Sequence, residues 1–374
     1  EAPDYGHETT SEAMSYIVWV AAMHDKIAGG SDLAKAWESL EMLIPDPDEQ
    51  PGFFTKTELS SQVNNEWPEG PENYGPGKTD IGTNGEAKNP LHADFVSAYK
   101  SDYNGEYLMH WLADVDDWYG FSGSKRGEKG KFTFINTFQR GDRESCFETI
   151  PHPSIETLEY GNSTQGMKFA FQKETAASWS YTNAPDAEDR AIQAVYAANR
   201  WEVGDSSVSK AAARMGDQCR NNMFDKYYKA IGCQDIGAST AGLESQHFLM
   251  AWYTAWGGST FPWYGGENNP SKNYDWAFQI GCSHSHQFYQ NPLAAYALAY
   301  DPVLSKEMKA KNAVSDYKKS LQRQIEFYLW LQSADGPFAG GCTNSKKGSY
   351  AKYDSSDPLF YDMAYVEHPV YADP

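Results

Sequence analysis

Four carboxylates, Glu1, Asp4, Glu8 and Glu12, crowd into the first thirteen residues, EAPDYGHETTSEA, beside a tyrosine and a histidine. Acids so close in sequence repel one another, and their pattern places them where a loop runs into a helix. Paired carboxyl groups can hydrolyse an acetal when one stays protonated to donate to the leaving oxygen and the other stays ionised to activate water or attack. A separation of about 6.5–9.5 Å gives inversion and about 5–5.5 Å gives retention. Glu12 is the candidate acid. A second role is open to it, because Thr9-Thr10-Ser11-Glu12 fits a capping box with Thr9 as N-cap and Glu12 three positions on. The helix N-terminus favours the ionised form, whereas burial and the charges of Glu1, Asp4 and Glu8 favour the protonated one.

A second acidic cluster, Asn183-Ala184-Pro185-Asp186-Ala187-Glu188-Asp189-Arg190, leads into a helix, and by spacing alone Asp186 reads as its cap. A third, Gln139-Arg140-Gly141-Asp142-Arg143-Glu144, offers oxygen donors on a turn, the ligands a hard cation takes. His284 and His286 alternate in Cys-Ser-His-Ser-His without a third ligand nearby. No nucleophile elbow, phosphate loop, zinc-protease pair or dinucleotide fingerprint is present.

These clusters sit among helical patterns. Residues 12–28 carry Tyr16, Ile17, Val20, Met23 and Ile27 with apolar neighbours all round, which predicts a helix buried on most sides. Gly29-Gly30 ends it, Ser31 or Asp32 can cap a second helix with the stripe Leu33, Trp37, Leu40 and Leu43, and Pro45 follows. Further helices are predicted over 189–202, 208–231, 242–256, 292–300 and 314–333, with short strands over 131–136 and 167–172. Hairpins that pair a buried helix with a half-buried one predict concentric layers, an α/α toroid, with a plain helical bundle as the alternative. Long Pro-, Gly- and Asn-rich connections over 45–90, 257–275 and 338–358 carry Trp67, Trp263, Tyr264 and Tyr274, as a built surface would.

Composition narrows the partners. The chain has 374 residues, 51 acidic against 31 basic, for a formal net charge of −20. Such a field repels phosphate, which excludes nucleic acid and anionic membrane as partners, and no apolar run reaches the ~20 residues of a membrane span. Aromatics make up 15% of the chain, with 12 Trp and 25 Tyr. Flat rings with a polar handle suit an uncharged, ring-shaped ligand such as sugar. Of five cysteines, Cys219 and Cys233 are spaced to bridge two helix ends, and Asn162-Ser163-Thr164 is a glycosylation sequon. A start at Glu1 and a stop at Pro374 read as a chain trimmed at both ends.

EAPDYGHETTSEA, MHWLADVDDWYGF (109–121), INTFQRGDRES (135–145), ETIPHPS (148–154), YTNAPDAEDRAIQA (181–194), MAWYTAWGG (250–258), IGCSHSH (280–286) and MAYVEHPVYADP (363–374) resemble, in order, the signature strings of glycoside hydrolase family 48. The resemblance implies an all-α, incomplete (α/α)6 barrel in which residues 1–374 are part of one catalytic domain. It implies inverting hydrolysis of β-1,4-glucan, with cellobiose released processively from reducing ends of a cellulose chain threaded through an aromatic tunnel. Glu12 matches the family's proton donor, Asp186 its base, with Glu188 as the alternative, and Glu1 a further carboxylate of the site. Trp252, Tyr253 and Trp276 match tunnel-lining aromatics, and Tyr274 stands where Trp is typical. A structural calcium maps onto Gln139, Glu144 and Asp373, with no cofactor for catalysis. The same likeness implies secretion, and a cellulosome or carbohydrate-binding module as partner beyond these residues. Relatives directed at chitin, and non-catalytic glycan-binding or storage proteins on the same scaffold, are the competing readings.

Overall fold

The computed structural model describes residues 7–45, 54–56, 81–83, 96, 105–116, 132–134, 181–223, 229–230, 248–250, 254–256, 276–279, 290–332, 342–343, 355–356, 359–360, 363–364 and 366–367. Their organisation is helical. The helices are α1 (Ser11–Ala28), α2 (Leu33–Glu41), α3 (Pro185–Arg200), α4 (Ser206–Cys219), α5 (Pro292–Tyr300), α6 (Leu304–Glu307) and α7 (Ala313–Trp330). Between them run short strands: β1 (Glu8–Thr10), β2 (Phe54–Lys56), β3 (Ile81–Thr83), β4 (Leu112–Asp114), β5 (Thr133–Phe134), β6 (Tyr181–Asn183), β7 (Lys229–Ala230), β8 (Thr254–Trp256) and β9 (Trp276–Gln279), with four two-residue strands after residue 341. No described helix is long and apolar enough to cross a membrane.

Helix contacts sort into two layers. α1 packs along α3, and α3 along α5, while α2 touches α4 and α4 touches α6. Within each successive pair, α1 lies on α2 and α3 on α4. The described helices thus form successive hairpins packed side by side, an all-α organisation. Val18, Ala21, Ala22, Leu33, Trp37, Leu40, Ala191, Ile192, Val195, Ala212, Met215 and Leu298 fill the seams between them. Leu298 of α5 reaches α4 at Gly216, where an added Cβ would stand 2.5 Å from Leu298 Cδ2.

Local chemistry sets the ends. α1 ends at Gly29, whose φ of 75° is the left-handed conformation glycine adopts without strain. Asp25, buried near the end of α1, accepts from the backbone N–H groups of Asp32 and Leu33 at 2.8 and 2.9 Å. One side chain of α1 therefore caps α2, while Asp32 makes no side-chain cap of its own. Pro at the first position opens both α3 and α5, where it forfeits no hydrogen bond.

Several expectations are corrected. Periodicity places Tyr16, Val20, Met23 and Ile27 on a largely buried helix, yet they are 56%, 65%, 46% and 81% exposed. α1 buries the opposite face, Ser11, Ser15, Val18, Ala21, Ala22 and Asp25, against its neighbours. The helix expected over 208–231 ends at Cys219, followed by a single tighter turn at Arg220–Asn222. There Arg220 turns aside to donate to Lys311 O and Asp316 Oδ2. The apolar stretch 242–256 contains strand β8, which pairs on both sides, with β6 and β9. Cys219 is a buried free thiol, so the bridge to Cys233 does not form. Of the expected strands, 131–136 contains β5 and 167–172 lies outside the described residues.

Candidate active site

Two chain segments far apart in sequence meet at the starts of α1 and α3. β1 delivers the first. It pairs antiparallel with β4, Glu8 opposite Asp114 and Thr10 opposite Leu112, and the ladder is extended by Ser11 N–H donating to Trp111 O at 2.9 Å. Thr10 then caps α1 by accepting from Ala13 N–H at 3.3 Å. With Thr10, not Thr9, as N-cap, Glu12 occupies the second helical position and the capping box does not form. Ser11 Oγ donates to Glu12 Oε2 at 3.2 Å. His7, at the mouth of this strand, pairs with Asp116 at 3.0 Å.

The second segment is β6 running into α3. Asp186 and Glu188 stand in the first turn, after the extended N-cap Ala184 and Pro185. The segment just before β4 joins the two halves, since Met109 N–H donates to Glu188 Oε1 at 2.8 Å. A single stretch, 109–114, thus touches both the strand that leads into the helix of Glu12 and the helix that carries the second carboxylate.

The two candidate bases now separate. Glu188 is completely buried, anchored to Met109, and held well above the ordinary carboxylate range chiefly by that burial. Asp186 is the one beside Glu12. Burial is the main cause that pushes its carboxyl up to about 7, the Glu12 charge is next, and Arg190 opposes both. Asp189, also buried, lies well above its usual range from burial and the Asp186 charge. The structure thus brings a buried Asp186 carboxyl within range of the Glu12 charge where two helix starts adjoin.

Arg190, Ser15 and Tyr16 complete this junction, and the sequence assigns none of them a role in the site. Arg190 donates to Asp186 Oδ2 at 2.7 Å and to Ser15 Oγ at 3.0 Å, and lies 4.5 Å over the Tyr16 ring. The four-residue spacing of Asp186 and Arg190 is a helix ion-pair signal that was legible in advance.

Glu1, Trp252, Tyr253, Tyr274, Gln139, Glu144, Asp373, His284 and His286 lie outside the described residues. Trp276 lies in β9, within the sheet β6-β8-β9-β7. In it Asn183, three residues before Asp186, pairs with Thr254, the residue after Tyr253. The aromatic-rich strands are therefore tied by backbone to the strand that leads into Asp186. Among the described residues, His24, Asp25 and Asp32 form a cluster with metal-ligand atom types. Asp25 there caps α2, and His24 and Asp32 form an exposed ion pair at 2.9 Å.

The sequence model of glycosyl hydrolase family 48 matches residues 1–374. The chain belongs to that family. Over its whole length it is 48% identical to "Cellulose 1,4-beta-cellobiosidase (reducing end) CelS" of Acetivibrio thermocellus, covering 48% of that protein. It is 44% identical to "Exoglucanase-2" of Thermoclostridium stercorarium, covering 40% of it, and 44% identical to "Endoglucanase F" of Ruminiclostridium cellulolyticum, covering 50%. In each case all of this chain is aligned, and it spans about half the length of the curated relatives it matches.

The buried acids give this family 48 chain a defined response to pH. Asp186, Glu188 and Asp189 all have folded-state values above the unfolded ones. Each therefore contributes stability that is complete below the ordinary carboxylate value and is lost as pH rises through the folded value. For Asp186 that window runs from 3.8 to about 7, and Glu188 and Asp189 act in the same direction. Urea midpoints measured between about pH 5 and pH 8 should fall with pH, and fall less in Asp186→Asn, which has no proton to lose. An equal slope in the two proteins would show that Asp186 is ionised throughout.

Proposed function

We propose that this chain forms part of a secreted catalytic domain that hydrolyses β-1,4-glucosidic bonds of cellulose with inversion, releasing cellobiose processively from reducing ends. The observation that carries the reading is the meeting of Glu12 and Asp186 at adjoining helix starts, each within reach of the other's charge. Support for the substrate comes from the relatives, which are named as a cellobiosidase, an exoglucanase and an endoglucanase.

In this mechanism Glu12 gives its proton to the glycosidic oxygen as the bond to the anomeric carbon breaks. Asp186 takes a proton from a water that attacks the opposite face of the same carbon, so the product sugar has the α configuration. At Asp186, Oδ2 is engaged by Arg190, whereas Oδ1 is buried, and the Ala187 backbone N–H also supports the carboxylate. In this reading Oδ1, the oxygen that Arg190 does not hold, accepts the water's proton. Trp252, Tyr253, Tyr274 and Trp276 are the platforms on which successive sugar rings stack, supplying the binding that keeps a chain engaged between cuts. Gln139, Glu144 and Asp373 offer one amide and two carboxylate oxygens, hard donors of the kind Ca2+ takes, for a structural ion. A carbohydrate-binding module or a cellulosome anchor would hold the domain on its insoluble substrate.

Incubation of the full-length protein with amorphous cellulose and, separately, colloidal chitin tests the reading. Cellobiose from the first, with little soluble product from the second, is the expected result. N-acetylated disaccharide from chitin would keep the two carboxylates and change the glycan. Binding to either polymer with no product from both would make the scaffold a glycan-binding protein.

A further inference from the structure

Glu12 and Asp186 have a cation in common. Arg190 stands one turn after Asp186 on α3, and its guanidinium spans the gap to α1. Nη2 donates to Asp186 Oδ2 at 2.7 Å, and Nη1 donates to Ser15 Oγ at 3.0 Å. Ser15, fully buried one turn after Glu12, donates from the same Oγ to the Glu12 carbonyl oxygen at 2.6 Å. Tyr16, the next residue, lies with its ring 4.5 Å beneath the guanidinium carbon.

We propose that Arg190 is a positioning residue that fixes Asp186 by Oδ2, and that sets the distance between the two carboxyl groups by tying α3 to α1. This inference rests on Asp186 being the base. A carboxylate held by one N–H can still pivot about its Cβ–Cγ bond. A planar guanidinium with a second N–H anchored on α1 and one face against a ring has little freedom of its own, so the carboxylate it holds cannot pivot far. Lysine would bring the charge without the fork.

The surrounding charges make the same residue govern when Asp186 is ionised. Glu12 faces it from α1, and Glu188 and Asp189 accompany it on α3. All are carboxyl groups, and burial adds to their effect. Arg190 is the opposing cation. Burial works against the arginine's own charge, and Asp186, Tyr16 and Glu12 outweigh that, so its pKa is raised. Without the guanidinium, Asp186 would retain its proton to higher pH and would be unable to accept one from water.

The test uses Arg190→Met, Arg190→Lys and Ser15→Ala in the full-length protein, assayed on a soluble cello-oligosaccharide across pH with melting temperature in parallel. Arg190→Met should lower kcat by about 10²-fold with little change in KM, and should move the acidic limb of the profile to higher pH. Arg190→Lys should bring the limb back towards wild type while kcat recovers only in part. Ser15→Ala leaves the Asp186 pair in place, so kcat should fall and the limb should stay. The inference is overturned if Arg190→Met keeps the wild-type limb, whether its kcat is normal or falls only in step with melting temperature. Asp186→Ala run alongside separates the two failures. If it stays active, the base assignment is wrong. If it is inactive while Arg190→Met behaves as wild type, the role of Arg190 alone is lost.

Discussion

Glu12→Gln should lower kcat by about 10³-fold while the protein still folds and still binds glycan. Removing a positioned general acid costs roughly 10²–10⁴ in rate, and the amide keeps the size of the side chain while having no proton to give the leaving oxygen. The cap on α1 belongs to Thr10, so the substitution leaves the helix start intact. Ser11 Oγ can donate to the amide oxygen as it does to Glu12 Oε2. Initial rates on a soluble cello-oligosaccharide, with melting temperature and cellulose binding beside them, check the outcome. Activity within a few-fold of wild type would reduce Glu12 to a surface carboxylate at a helix start.

An effect of similar size is expected for Asp186→Ala, with a signature that loss of folding cannot mimic. Truncation removes the group that accepts the water's proton and opens a pocket beside Arg190, whose guanidinium then lacks its anion. Azide should enter that pocket, attack the anomeric carbon without general-base help and partly restore turnover. Inversion requires that the recovered product be the α-glycosyl azide, which proton NMR distinguishes from the β form. The β azide would point to a retaining course through a covalent intermediate. Glu188→Ala is expected to lose stability without azide rescue, because Glu188 is fully buried and holds the Met109 amide. Rescue in Glu188→Ala, with Asp186→Ala still active, would move the base two residues along.

Where the sequence carried local punctuation, the fold could be read from it. Pro292 after Asn291 marks the start of α5, and Asn291 caps it by accepting from Ala294 N–H at 3.0 Å. Gly29 marks the end of α1 in the same way. The 242–256 stretch misled because an unbroken apolar run is equally a buried helix or a strand paired on both sides, and periodicity cannot separate them. α1 misled differently. Its pattern is apolar all round, but nothing in a pattern says which face will meet a neighbour. At the site, both carboxylate clusters were visible, and so was the competition between capping and catalysis. Their meeting was not, because Ser15 and Arg190 are 175 residues apart. The choice of Asp186 over Glu188 likewise depends on which one Met109 takes, a long-range fact that no local string encodes.

The outward stripe of α1 has a bearing on how this chain behaves in solution. From Tyr16 to Ile27 it runs three turns, about 16 Å at 1.5 Å per residue, with four large apolar side chains presented to water. Two forces then oppose each other when copies approach. Apolar contact favours sticking, while a formal net charge of −20 keeps like molecules apart. Salt weakens only the second. At about 0.1 M the repulsion is screened beyond about 10 Å, whereas apolar contact is untouched. Colloidal stability of this acidic chain is therefore greatest in dilute buffer, and the outward face of the helix that bears Glu12 is one surface through which salt favours association.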